Sequence, residues 1–226
     1  MQSKTFNGDK KNGTSLLYGV EKKFLNFAVP KIPHWIETYH LTLLTLPMCF
    51  GVMLTLYLGK WNVHTLWLTS LLILAQYVTD ILDGAVGRYR GTGLIKWGYY
   101  MDHMLDYIFL CSLLIGYAVL SGGETLYYQL FILVVAGAFM LNSHLFFAAT
   151  GKLKYSYMKL GTSELRIVAV FANTMIIMFG KTHLTVLSPY VLGISLIGLT
   201  LVLFKEQKEL WDIDMEAKKK SQEEDN

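Results

Sequence analysis

Thr79-Asp80-Ile81-Leu82-Asp83-Gly84-Ala85-Val86-Gly87-Arg88 and, beyond a short polar connection, Gly98-Tyr99-Tyr100-Met101-Asp102-His103-Met104-Leu105-Asp106 set four aspartates into two otherwise apolar stretches. At about 100° per residue, Asp80, Asp83, Gly84 and Gly87 fall along one stripe of a helix, and Gly98, Asp102 and Asp106 along one stripe of the next. The connection from Arg88 to Trp97 is short enough to make the two helices antiparallel neighbours. Both acidic stripes can then face one cavity, with the glycines leaving room for something other than side chains. A charged carboxylate at the centre of a membrane helix costs about 2.5–3.5 kcal/mol on insertion scales, so acids in this arrangement mark a site.

Working outward, the chain is that of an integral membrane protein. Of its 226 residues 53% are hydrophobic and 16% charged, against roughly 25% charged in ordinary soluble chains. Mean hydropathy is +0.38. Six stretches are apolar enough for spans of about 20 residues: Trp35–Leu58, Val63–Leu82, Trp97–Leu120, Leu126–Thr150, Leu165–Gly180 and Leu184–Phe204. With these as spans, 18 of the 20 Lys and Arg fall on one side, leaving Lys60 and Lys181 on the other. By the positive-inside rule both termini are expected to be cytoplasmic, with the acidic cavity opening to the same side.

Before the first span, Leu16, Leu17, Val20, Phe24 and Phe27 recur at helical spacing, with Lys22 and Lys23 on another face. This predicts a helix lying in the membrane interface rather than a cleavable signal, which would need a longer apolar core. The expected organisation is thus an all-α membrane protein: residues 1–34 cytoplasmic and interfacial, 35–204 a six-helix transmembrane domain, and 205–226 a charged cytoplasmic tail. Cys49 and Cys111 each lie within apolar sequence and suggest neither a disulfide framework nor a metal site. Thr150-Gly151-Lys152 lacks the upstream glycine of a phosphate-binding loop. Nothing in the pattern calls for a nucleic-acid partner.

Four acids beside one nearby Arg88 leave a net negative pocket, which favours protonation or bound cations. Carboxylate oxygens prefer hard ions such as Mg²⁺ or Mn²⁺, and carboxylates from two helices can bridge a pair of them about 4 Å apart. Paired ions beside an arginine make a clamp for a diphosphate.

The two runs resemble the signature of the CDP-alcohol phosphotransferase family, D-x-x-D-G-x-x-A-R, a spacer, and G-x-x-x-D-x-x-x-D. Gly87 stands where the family usually has Ala, a small-for-small departure. The resemblance implies that an alcohol hydroxyl attacks the β-phosphorus of a CDP-linked donor, releasing CMP. On that mapping Asp80, Asp83 and Asp102 bind metal ions and the donor diphosphate. Asp106 completes the metal site and accepts the hydroxyl proton. Gly84, Gly98 and Arg88 serve the donor, as would Thr42, in Tyr39-His40-Leu41-Thr42, where half of the family's Asn-x-x-Thr is present. The implied cofactors are two Mg²⁺ or Mn²⁺ ions, and family members are commonly homodimers.

The family joins CDP-diacylglycerol to a polar alcohol in some members, and CDP-choline or CDP-ethanolamine to a diglyceride in others. Asp102-His103-Met104-Leu105-Asp106 and Gly161-Thr162-Ser163-Glu164 lean to the second, since they look like D-H-x-x-D and G-P-T-E. Gly151-Lys152-Leu153-Lys154 faintly resembles a phosphate-contacting segment of the first. Lys152, Lys154, Glu164 and Arg166 are the candidates for acceptor binding. The expected location is a bacterial inner membrane, from the compact chain without a retrieval motif. An ion- or proton-coupled transporter is the rival from another class, but it would favour acids near the midplane in two related halves.

Overall fold

The computed structural model describes residues 17–91, 94–151 and 162–224, all but 162–164 and 224 of them with side chains. Described residues form eight α-helices: α1 Tyr18–Ala28, α2 Thr38–Leu43, α3 Thr45–Leu58, α4 Leu66–Arg90, α5 Ile95–Leu120, α6 Leu126–Thr150, α7 Thr162–Phe179 and α8 Thr182–Glu224. Short 3₁₀ turns at Val29–Lys31 and Val63–Thr65 lead into α2 and α4. No strand occurs among them.

The first expected span is two helices broken at Leu44. Pro47 explains the break: it has no N–H to continue the ladder, and it is tolerated in the first turn of α3, where donors have no partner anyway. Trp35 precedes the helix. The second span extends past Leu82 to Arg90, carrying the whole first acidic run on regular helix. It stops at Gly91, whose left-handed conformation (φ +65°) suits a glycine after a helix. The region after Phe204 also differs from the expected separate tail. It continues α8, a single helix of 43 residues and about 65 Å, because no Gly or Pro occurs between Phe204 and Glu224, where the sequence is rich in Lys and Glu.

Among the described residues, five helical segments are long and apolar enough to cross a bilayer: Thr38–Leu58, Val63–Arg90, Ile95–Leu120, Leu126–Thr150 and Thr182–Glu223. The apolar stretch Leu165–Phe179 of α7 is shorter. Outward-facing apolar side chains such as Phe131, Val134, Leu141 and Leu145 remain exposed, as a hydrocarbon solvent requires.

The core joins α3, α4, α5 and α7 through Val52, Leu56, Leu66, Ile73, Phe109, Leu113, Tyr117, Leu120 and Ile176. Helix α3 lies so close along α5 that a Cβ on Gly116 would overlap Leu56. Polar ties cross the same core. Tyr117 donates to Asn173 Oδ1 (2.7 Å), whose Nδ2 donates to Ser70 (3.0 Å), linking α5, α7 and α4. A smaller cluster of Val29, Leu41, Leu82 and Val86 seats the approach to α2 against α4. There the Arg90 guanidinium donates to the carbonyls of Ile36, Ile32 and Pro33 at 2.6, 2.8 and 3.1 Å.

Candidate active site

Helices α4 and α5 bring the four aspartates together near their connected ends. At 1.5 Å of rise per residue, Asp83 and Asp80 lie about 10 and 15 Å along α4 from Arg90. Asp102 and Asp106 lie about 10 and 17 Å along α5 from Ile95. Asp102 is close enough to Asp80, Asp106 and Asp83 to interact electrostatically with all three.

Each of the less exposed acids meets a donor from another helix. Thr42 on α2 donates its hydroxyl to Asp83 Oδ2 at 2.7 Å, and Asp83 Oδ1 also accepts the Gly84 amide. Arg166 on α7 reaches across both acidic helices, with Nη1 on Asp80 Oδ2 at 2.8 Å and Nη2 on Asp106 Oδ1 at 2.7 Å. Gln76, one turn deeper than Asp80, donates Nε2 to the same Asp106 oxygen at 2.9 Å. Beside Gln76 in the chain, the Tyr77 ring lies 5.8 Å from the Arg166 guanidinium, and its hydroxyl donates to Glu21 of α1 at 2.7 Å.

Thr42 therefore joins the acids directly. Arg166, which the sequence groups with acceptor residues, lies inside the acid cluster. Arg88 folds back along its own helix, with Nη1 3.1 Å from where a Cβ on Gly84 would stand, so the room left by Gly84 is taken in part by this side chain. Gly98 opens onto free space among the described residues. Lys152 and Lys154 lie outside the described residues, as does the Glu164 side chain.

Gln76 was not among the sequence candidates, yet it continues the Asp80–Asp83 stripe one turn inward. An amide in an apolar run on that stripe was the available signal. His103 and His144 are likewise neighbours, with ring centroids 5.3 Å apart, although each Nδ1 pairs with a carbonyl of its own helix, Tyr99 and Met140.

Among the described residues no three acidic, His or Cys side chains already close on one point as a metal cage. The donor set nonetheless fits divalent cations. It offers carboxylate oxygens from four aspartates on facing helices, and Arg166 balances one of those negative charges.

Described residues that are all-helical, with five membrane-length apolar helices among them and a polar site where two of these meet, make an integral membrane protein. Residues 35–204 match the CDP-alcohol phosphatidyltransferase family, and by that match the chain belongs to it. It is accordingly a transferase of substituted phosphate groups, working in phospholipid synthesis by moving such a group from a CDP-linked donor to an alcohol. No curated individual protein matches the chain.

Proposed function

We propose that this transferase uses the cluster of Asp80, Asp83, Asp102 and Asp106 as its reaction centre, with divalent ions, Mg²⁺ or Mn²⁺ and two in number. It takes CDP-choline or CDP-ethanolamine as donor and a diglyceride as acceptor. The observation that carries the reading is the convergence of four carboxylates from α4 and α5, tied by donors from α2 and α7. The ions, when held by these acids, supply positive charge against the donor diphosphate.

The chain's own residues then divide the work. Thr42 orients Asp83, and Gln76 orients Asp106 through Oδ1, leaving Oδ2 for the acceptor hydroxyl. The hydroxyl oxygen bonds to the β-phosphorus, its proton passes to Asp106, and the bond from that phosphorus to CMP breaks, CMP leaving with the electron pair. Position rather than basicity makes Asp106 effective. Gly84, Gly98 and Arg88 border the donor's path.

The charge split across the connections supports cytoplasmic termini and a cytoplasm-facing site, with α7 as the sixth span. Exposed Val20, Phe24 and Phe27 support an interfacial α1. His103 beside Asp102, and Glu164 in Gly161-Thr162-Ser163-Glu164, support the diglyceride direction.

The test is CMP release by the full chain in lipid nanodiscs with Mg²⁺ or Mn²⁺. CDP-choline, CDP-ethanolamine and CDP-diacylglycerol are supplied separately, each with and without its matching alcohol. Diglyceride-dependent CMP from an aminoalcohol donor, lost in Asp106→Asn, is the expected result. CMP from CDP-diacylglycerol with a polar alcohol would reverse the direction, and none from any donor would remove the reaction.

A further inference from the structure

Arg166 does something the family signature does not call for, since it occupies the acids that the reaction needs for cations. Its side chain is 9% exposed, and its two terminal nitrogens bridge Asp80 of α4 and Asp106 of α5, where Gln76 of α4 also donates to Asp106. A guanidinium cannot shed its charge in a protein, so it remains a cation wherever it sits. Divalent ions and Arg166 would therefore claim the same carboxylates and repel one another within one small site.

We propose that Arg166 is a positioning residue that keeps the acid cluster assembled before ions arrive, and that ion binding is coupled to its release from Asp80 and Asp106. The inference rests on the reading that these acids hold divalent ions. The structure offers the released guanidinium a place nearby. The Tyr77 ring already lies 5.8 Å from it, within cation–π range, and Glu21 of α1 holds the Tyr77 hydroxyl. Arg166 can thus withdraw towards the ring without leaving the helix bundle. Gln76 remains on Asp106 Oδ1 meanwhile, so that carboxylate keeps its orientation when the arginine lets go.

Linkage gives the proposal its test. If ions weaken the hold of Arg166, then removing Arg166 must strengthen the hold on ions by the same factor. A residue that merely braced the fold would behave in the opposite way, its loss loosening the site and weakening every ligand.

The experiment measures Mn²⁺ binding to the full chain in nanodiscs by electron paramagnetic resonance, together with thermal unfolding with and without Mn²⁺. Three proteins are compared: the native chain, Arg166→Gln and Arg166→Lys. The expected result for Arg166→Gln is Mn²⁺ binding on the order of tenfold tighter, within the usual range of such couplings. It should also melt lower without ions and gain more from Mn²⁺ than the native chain. Arg166→Lys keeps the charge, cannot bridge both acids and is the safer variant to fold. It should shift in the same direction by a smaller factor.

Unchanged or weaker Mn²⁺ binding in either folded variant, while the native chain binds Mn²⁺, would overturn the coupling and leave the metal reading standing. No Mn²⁺ binding by any of the three would overturn both.

Discussion

Replacing Gln76 by Leu isolates one contact in the acid cluster. Gln76 is 1% exposed, its Nε2 donates to Asp106 Oδ1 at 2.9 Å, and its Oε1 has no hydrogen-bond partner among the described residues. Leucine fills a similar volume, so the perturbation is the loss of one hydrogen bond to a charged acceptor. Such bonds contribute about 1.5–3 kcal/mol. If the bond aims the second oxygen of Asp106 at the acceptor hydroxyl, the loss falls on the transition state and kcat/KM drops by roughly 10- to 150-fold. Stability should move by less than about 1 kcal/mol, because the same change removes a buried carbonyl oxygen with no partner among the described residues.

The assay is acceptor-dependent CMP release alongside thermal unfolding. Activity within twofold of the native chain, with unfolding unchanged, would refute the reasoning, for Asp106 would then need no aiming from below. Gln76→Glu sharpens the contrast, since it sets a second carboxylate where a donor had faced Asp106. At 4 Å and an effective dielectric near 20, that repulsion is about 4 kcal/mol, so the loss should exceed that of the leucine variant.

Three further substitutions probe other parts of the site and its frame. Thr42→Val removes the 2.7 Å bond to Asp83 and should lower kcat/KM by roughly tenfold with little change in melting, as steady-state kinetics would register. Gly84→Ala puts a methyl 3.1 Å from Arg88 Nη1, the free end of a flexible chain. Melting should hold or rise by the helix preference for Ala, up to about 1 kcal/mol, while KM for the donor increases, and a collapse in melting would show that the space serves packing alone. Asn173→Leu strands the Tyr117 and Ser70 hydroxyls in the core and should destabilise the fold by about 2 kcal/mol in a denaturant titration, with the acids themselves untouched.

The positions of these residues were not equally visible in the sequence. Asp80, Asp83, Asp102 and Asp106 stood out because carboxylates are costly in apolar helices and their three- and four-residue spacing keeps them on one face. Helix ends were harder. Hydropathy stops the second span at Leu82 because the next turns carry Asp83, Gly84, Gly87 and Arg88, whereas the backbone ladder stops at Gly91, where left-handed geometry ends it. The same divergence hides the length of α8, whose charged half holds no long apolar run and is helical to Glu224. Partners from distant segments were hardest of all. Thr42 and Arg166 reach the acids from α2 and α7, and only packing between helices decides that they do. Arg166 near the start of an apolar helix reads as a candidate for acceptor binding, and nothing local indicates that α7 turns it onto Asp80 and Asp106.

How the donors are distributed explains why such a cluster can exist before any ion binds. Asp83 is 7% exposed and receives a hydroxyl and an amide, while the Asp80 side chain is 12% exposed and holds one arm of Arg166. Asp106 lies deepest along α5 and takes the other arm together with Gln76. Asp102, at 38%, is the most open of the four and lies beside the charges of the other three. Donors are thus concentrated where water is scarce, and the acid with most access to solvent is left facing its neighbours. Burial of the first three is offset by bonds made within the fold, so assembly does not wait on an ion. What the fold does not offset is the remaining negative charge around Asp102. That residual field turns a tolerated cluster into a place where cations, and behind them a diphosphate, are drawn.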